Sequence, residues 1–314
     1  MSTADWLRLA LLGAVWGASF TFMRVLAPVL GPVATADLRV AIGGGALSLY
    51  FALIGFRPAW RAQGRHYVVI GVFNIGLPFL LFSYAAQYLP ASYSAVVNAT
   101  TPLFGTVFAA VWLGQPCTRA RTIGLALGIA GVAVITGASR PAMADARFFY
   151  AMLACLLAAA SYAGAGVYIK RYASHVHPLG AAGCAQLLAA AMLSPLWLLA
   201  PVRGALDGGV VLNLLGLGLL GSALGFVLYF RLLSDVGPAR AMMVAFLTPL
   251  FGIAWGILFL DEVLTSAIVI GGGMIVMAVA LILKAPAPAL GPGRESPSAA
   301  GRRAAADIEQ GINR

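Results

Sequence analysis

Charge is what this chain has least of: Asp, Glu, Lys and Arg together make up 10 % of its 314 residues. A water-soluble domain carries about a quarter, so a soluble globule is excluded. Apolar residues reach 61 % and the mean hydropathy is +0.92, which makes lipid the solvent for most of the chain.

Other absences narrow the chemistry. Only three cysteines occur, Cys117, Cys155 and Cys184, and none forms a C-x-x-C pair, which argues against a disulfide framework or a thiolate metal site. No G-x-x-x-x-G-K-[ST] and no H-E-x-x-H appears, so ATP-driven pumping and zinc proteolysis are unsupported. No acid falls at the middle of an apolar segment, so a buried carboxylate proton relay is not visible. His66, His175 and His177 sit at segment edges and read as loop residues. No nucleophile and base pair at depth, so no enzyme, no cofactor and no metal is expected. Net charge is +10, but the basic residues are scattered without the aromatic-interleaved basic face that nucleic-acid binding needs, and nucleic acid is not an expected partner.

What is present is a series of apolar segments. A bilayer core takes about 20 residues per helical span, and ten segments qualify, at about 6–28, 35–55, 67–88, 92–114, 121–138, 148–170, 178–200, 210–233, 238–260 and 264–284. The ten-residue alternation of a membrane β-barrel is missing, so the expected fold is an all-α polytopic membrane protein of ten transmembrane helices. The first segment reads as a retained span rather than a cleaved signal, because further spans follow directly. Placing both termini in the cytoplasm puts fifteen basic residues inside, among them Arg57, Arg61, Arg65, Arg119 and Arg121, against five outside, Arg24, Arg39, Arg140, Arg147 and Arg203. That division obeys the positive-inside rule and predicts a multi-pass protein of a cell inner membrane, with the lipid bilayer as its first partner.

The chain repeats itself. Thr101-Pro102-Leu103-Phe104-Gly105 returns as Thr248-Pro249-Leu250-Phe251-Gly252, and Trp16 to Arg24 parallels Tyr162 to Lys170. Two five-helix units follow, over 1–140 and 141–284, joined by a linker with Pro141 and Asp145; residues 285–314, rich in Pro, Ala, Gly and Arg, read as a disordered cytoplasmic tail. Five spans are an odd number, so the second unit crosses inverted, the architecture of many secondary transporters. Gene duplication kept for packing alone would give the same pattern.

These features resemble the drug/metabolite transporter superfamily, in its EamA-type ten-helix members. The resemblance rests on Trp16-Gly17-Ala18-Ser19-Phe20, Leu38-Arg39, Ala91 to Gly114, Ser222 to Phe230, Pro249 to Glu262, and the glycine-rich segments after each Thr-Pro helix. Where such proteins often have Gly-Glu closing the fourth helix, this chain has Gly114-Gln115; Glu262 keeps the acid in the second copy. The resemblance implies a bundle around a central cavity that moves a small-molecule substrate, most often outward, with amino acids or related compounds as the class. A passive channel or facilitator is the alternative, and a homodimer is an arrangement left open.

Candidate residues follow from cost. Pro102 and Pro249 remove one helix hydrogen bond each, from the carbonyls of Asn98 and Ala245, and serve either as cavity-lining hinges or as packing kinks. Asn74, Asn98, Gln87 and Gln186 are polar groups within apolar spans that either contact substrate or link helices. Trp16 and Tyr162 are repeat-related aromatics suited to wall a cavity, with Tyr84 and Tyr229 as further candidates. Arg39, just inside its span, is a gate, a carboxylate-binding group or an anchor paired with Asp37 or snorkelling outward. The G-x-x-x-G pairs Gly13/Gly17, Gly124/Gly128, Gly221/Gly225 and Gly252/Gly256 are expected to let helices pack closely.

Overall fold

A computed structural model describes residues 1–137, 146–200, 202 and 204–284. The expected linker with Pro141 and Asp145, the basic residues Arg140 and Arg203, and the tail 285–314 lie outside the described residues. Among the described residues the structure is helical without strands. Nine helices among the described residues are long and apolar enough to cross a membrane: α1 (Thr3–Leu30), α2 (Pro32–Ile54), α3 (Trp60–Ala85), α4 (Ala91–Leu113), α5 (Arg119–Gly137), α6 (Ala146–Tyr172), α7 (Pro178–Leu198), α8 (Gly208–Val236) and α10 (Ser266–Lys284); α9 (Val244–Leu260) is a shorter apolar helix.

Local chemistry sets the boundaries. Ser2 and Asp5 form a capping box at the start of α1, each side chain accepting from the other's backbone N–H. The α1–α2 connection is the single residue Gly31, held at φ 81°, and Pro32 opens α2. Gly114 and Asp261 take the same left-handed conformation after α4 and α9, and the next N–H bonds six residues back in both, Gln115 to Ala109 and Glu262 to Gly256, each at 3.2 Å. The expected continuous span over 238–260 is instead a four-residue helical turn, Pro238–Ala241, followed by α9.

Contacts at the helix ends define two faces. On the near face, that of the N-terminus, Arg8 pairs with Asp235 at the end of α8, Phe56 packs against His177 with the rings tilted, and Gln63 meets His175. On the far face, Gly204 N–H donates to the Val29 carbonyl and Tyr93 packs on Phe148. Helix α1 therefore runs from near to far and α6 from far to near.

Glycine governs how closely the helices approach. A Cβ at Gly17 would stand 2.8 Å from Gly252 N, so α1 and α9 meet backbone to backbone. Gly131 and Gly271 do the same for α5 and α10, each lying against the other's carbonyl. The outer surface is the reverse of a soluble protein's: Leu53, Val111, Ile129 and Phe259 are exposed, as a lipid-facing surface requires. Helices α3 and α8 each contain a π-helical stretch at corresponding depth, Gly71–Gly76 and Gly216–Leu224. Both are glycine-flanked, and a Cβ at Gly71, Gly216 or Gly218 would press on Ala185 O, Phe22 or Ile42 at under 3 Å.

Candidate functional site

A cavity of about 400 Å³ occupies the centre of the bundle. Helix α1 supplies Trp16, Ser19, Phe20 and Met23; α3 supplies Asn74, Phe79 and Phe82; α4 supplies Asn98, Ala99, Thr101 and Pro102. Helix α6 adds Tyr162, α8 adds Gly221, Phe226 and Tyr229, α9 adds Val244, Ala245 and Thr248, and Arg39 enters from α2. Helices α5, α7 and α10 contribute no lining residue. On α1 these positions recur at three- and four-residue steps, the stripe a single helical face presents; on α3 and α8 the steps from Asn74 to Phe79 and from Gly221 to Phe226 are five residues, across the π-helical stretches.

The cavity is open at one end. Met242, in the turn before α9, lines it and is 39 % exposed, whereas Met23 and Arg39 line it at 2 % and 5 %. Beyond Met23 a continuous core of Leu26, Ala27, Leu30, Ala34, Ala86 and Leu89 fills the far face. The mouth thus lies at the near face and the floor is sealed.

Two ionic groups reinforce that seal. Glu262, just past α9, accepts from the backbone N–H of Ala91 and of Ser92 at 2.5 and 3.0 Å. These are among the free donors of the α4 N-terminus, where a carboxylate is favoured. Arg24 Nη1 donates to the Ala86 carbonyl at the end of α3, at 2.8 Å, where a cation is favoured. The α3–α4 connection is therefore clamped from both sides, by α1 and by the residue after α9. Gly256 makes room for this, since a Cβ there would stand 2.5 Å from Glu262 Oε2.

Aromatic rings form two groups on the walls. Trp16 packs on Tyr229 at 5.4 Å and on Phe226 at 6.2 Å between centroids. Deeper, Phe82 sits edge-on to Phe20 at 5.3 Å and stacks with Tyr162 at 6.2 Å. Gly225 sets the upper group, because a Cβ there would stand 2.5 Å from Trp16 Nε1.

The polar groups differ in how they are satisfied. Helix α4 breaks at Ala99 and Thr100, just before Pro102. The Asn98 carbonyl that loses its helix partner to Pro102 accepts instead from Thr101 Oγ1 at 2.7 Å. The Asn98 side-chain oxygen is buried at the cavity wall with no hydrogen-bond partner among the described residues. Arg39 neither pairs with Asp37 nor reaches outward. Asp37 accepts from Ser194 Oγ at 3.2 Å, while Arg39 Nε donates to Ser222 Oγ at 3.0 Å. The Arg39 guanidinium lies over the Phe79 ring, 3.6 Å from its centroid.

Six residues singled out from sequence as cavity or hinge groups, Trp16, Asn74, Asn98, Pro102, Tyr162 and Tyr229, line this one cavity. Tyr84 does not: two residues past Phe82 it points away from the cavity, into contact with Tyr88 at 5.4 Å. Pro249, one position past the lining residue Thr248, is buried in α9 outside the cavity. Gln87 bonds locally to the Tyr84 carbonyl, and Gln186 is fully buried beside Gly43, away from the cavity. Sequence reasoning passed over Ser19, Phe20, Met23, Phe79, Phe82, Phe226 and Thr248. Steps of three and four from Trp16, Asn98 and Tyr229 reach most of the lining on α1, α4 and α8.

Ten helices around a cavity sealed at one face define a polytopic membrane transporter, with no catalytic constellation at its centre. The chain belongs to the EamA-like transporter family, whose model matches residues 6–137 and again 149–284. It is 25 % identical over 283 residues to an uncharacterized transporter of Archaeoglobus fulgidus, covering 89 % of this chain and 98 % of that one. A probable terminal-alkyne amino-acid exporter of Streptantibioticus cattleyicolor is 27 % identical, with 90 % and 94 % covered. A solved crystal structure shares the fold at a TM-score of 0.62 and 18 % identity, covering 90 % of this chain and 98 % of that one.

Proposed function

We propose that this transporter is an alternating-access secondary carrier that exports amino acids or closely related small metabolites across a cell inner membrane. Both termini lie in the cytoplasm and the two five-helix units are inverted with respect to each other. One observation carries this reading: the central cavity is open at the near face and sealed at the far one. A carrier needs such a one-sided state, and an open channel does not. The basic residues of the 54–65 and 113–121 regions lie toward the near face, which supports a cytoplasmic near face and an inward-open reading of the described state.

The matched π stretches and the matched ends of α4 and α9 support two halves built on one plan. Halves of opposite orientation can exchange conformations, so that closing the near face and opening the far one repeats the same packing in mirror order. The name of the Streptantibioticus cattleyicolor relative supports amino acids as the substrate class and export as the direction.

Counterflow in proteoliposomes tests this. Vesicles preloaded with an unlabelled amino acid should accelerate entry of the same labelled compound, and the effect should saturate. Flux without trans-stimulation would instead establish a passive channel.

A further inference from the structure

We propose that Arg39 is the substrate-recognition residue of the central cavity and that it binds a carboxylate of the transported compound. The inference rests on the carrier reading and names the chemistry of the same site.

Arg39 is 5 % exposed and lines the cavity floor. Among the described residues no carboxylate lies within ion-pairing distance of it, and none of the cavity-lining residues is Asp or Glu. Its protein contacts are weak substitutes for a counter-charge. Nε is used by Ser222, Nη1 reaches Met23 Sδ at 3.7 Å, and the cation rests on the Phe79 face. Thioether sulfur is a poor acceptor, and a ring quadrupole compensates a guanidinium only in part. A buried cation left so is costly unless an anion joins it.

The geometry leaves a place for that anion. The Ser222 bond and the Phe79 ring fix the guanidinium plane, and its Nη2 lies on the side of Gly221, a cavity-lining position with no side chain of its own, where a Cβ would be in ordinary contact with Nη2 at 3.7 Å. A planar fork held in this way matches a carboxylate in two-point contact. The surrounding walls are aromatic and apolar, which suits an organic acid with a hydrophobic body better than a small hydrated anion. The unpartnered Asn98 oxygen on α4 offers an acceptor for an ammonium group when the acid is an amino acid.

The test uses purified full-length protein and matched sets of probes: the common amino acids, their amides, and the corresponding decarboxylated amines. Binding is read as a shift in melting midpoint in detergent, flux as counterflow, and chloride is titrated separately. The acids should raise the midpoint of the wild type, and the amides and amines should not. R39Q should weaken the acid's half-saturating concentration about tenfold or more, with R39K in between because it keeps the charge but loses the fork. Retention of the monodisperse gel-filtration peak by R39K guards against a folding artefact. Equal responses to acid, amide and amine, an R39Q protein that still prefers acids, a midpoint that moves only with chloride, or no response to any acid would each overturn the assignment. Acid binding lost in R39Q without counterflow in the wild type would leave Arg39 assigned and discard the carrier.

Discussion

At the scale of single residues, small side chains decide as much as large ones. Gly17 and Gly225 are both glycines on cavity-lining helices, yet their neighbours differ in kind. A methyl at Gly17 meets backbone, Gly252 N at 2.8 Å and Phe251 C at 3.0 Å, and helix axes must move. G17A should therefore destabilise the protein by about 1–3 kcal/mol, seen as a lower melting midpoint in detergent. A methyl at Gly225 meets the Trp16 indole tip at 2.5 Å, which can swing aside. G225A should melt close to the wild type but transport more slowly, because Trp16 is pushed into the cavity. A G225A protein that transports normally would remove Trp16 from the cavity's working surface. The sequence made the glycine pairs legible as packing sites, since their spacing is a helical face. It could not distinguish backbone neighbours from side-chain ones, because that depends on which helix lies opposite.

At the scale of elements, the α3–α4 connection is the segment that the proposed alternating access has to release. Arg24 holds the end of α3 and Glu262 the start of α4, so opening the far face must break both contacts. Bonds to a charged group are each worth about 1.5–3 kcal/mol. E262Q should shift the population toward the outward-open form about tenfold or more, read as faster external labelling of a cysteine placed at Ser19. R24A should act in the same direction, and the double variant should give less than the sum, since both clamp one segment. Unchanged labelling in E262Q would show that packing alone seals the face. Gln115, which occupies the corresponding place in the first half, carries no such charge, so the proposed near-face closure would lack this clamp.

Much at this scale was legible from residue type: the ten apolar segments, the break before Pro102 and the doubled motif all follow from composition and order. The π stretches in α3 and α8 were not, because glycine-rich apolar sequence fits an α-helix equally well and only close neighbours select the wider turn. The unequal placing of the two helix breaks was hidden for a similar reason. Both halves carry Thr-Pro, yet the first breaks directly before Pro102 and the second at 242–243, six residues before Pro249. Arg39 was visible as a costly residue, but whether Asp37 answered its charge depended on α7, where Ser194 takes that carboxylate instead.

For the molecule as a whole, the described residues enclose a central cavity of about 400 Å³ between two unequal ends. The near end is held apart around Met242; the far end is packed and clamped. Peripheral helices α5 and α10 pack on each other through Gly131 and Gly271 and line no part of the cavity, whose walls come from α1, α3, α4, α6, α8 and α9 with Arg39 of α2; these are the helices that the proposed alternating access would move. The measurement that reaches this account most directly is two-sided labelling of a single cysteine at Tyr162, in a background where Cys117, Cys155 and Cys184 are replaced, with a membrane-impermeant thiol reagent. The account predicts labelling from the cytoplasmic side in the resting protein, labelling from the outer side once Glu262 is neutralised, and slower labelling from either side when a transported acid is present. Equal labelling from both sides, indifferent to Glu262 and to substrate, would contradict it.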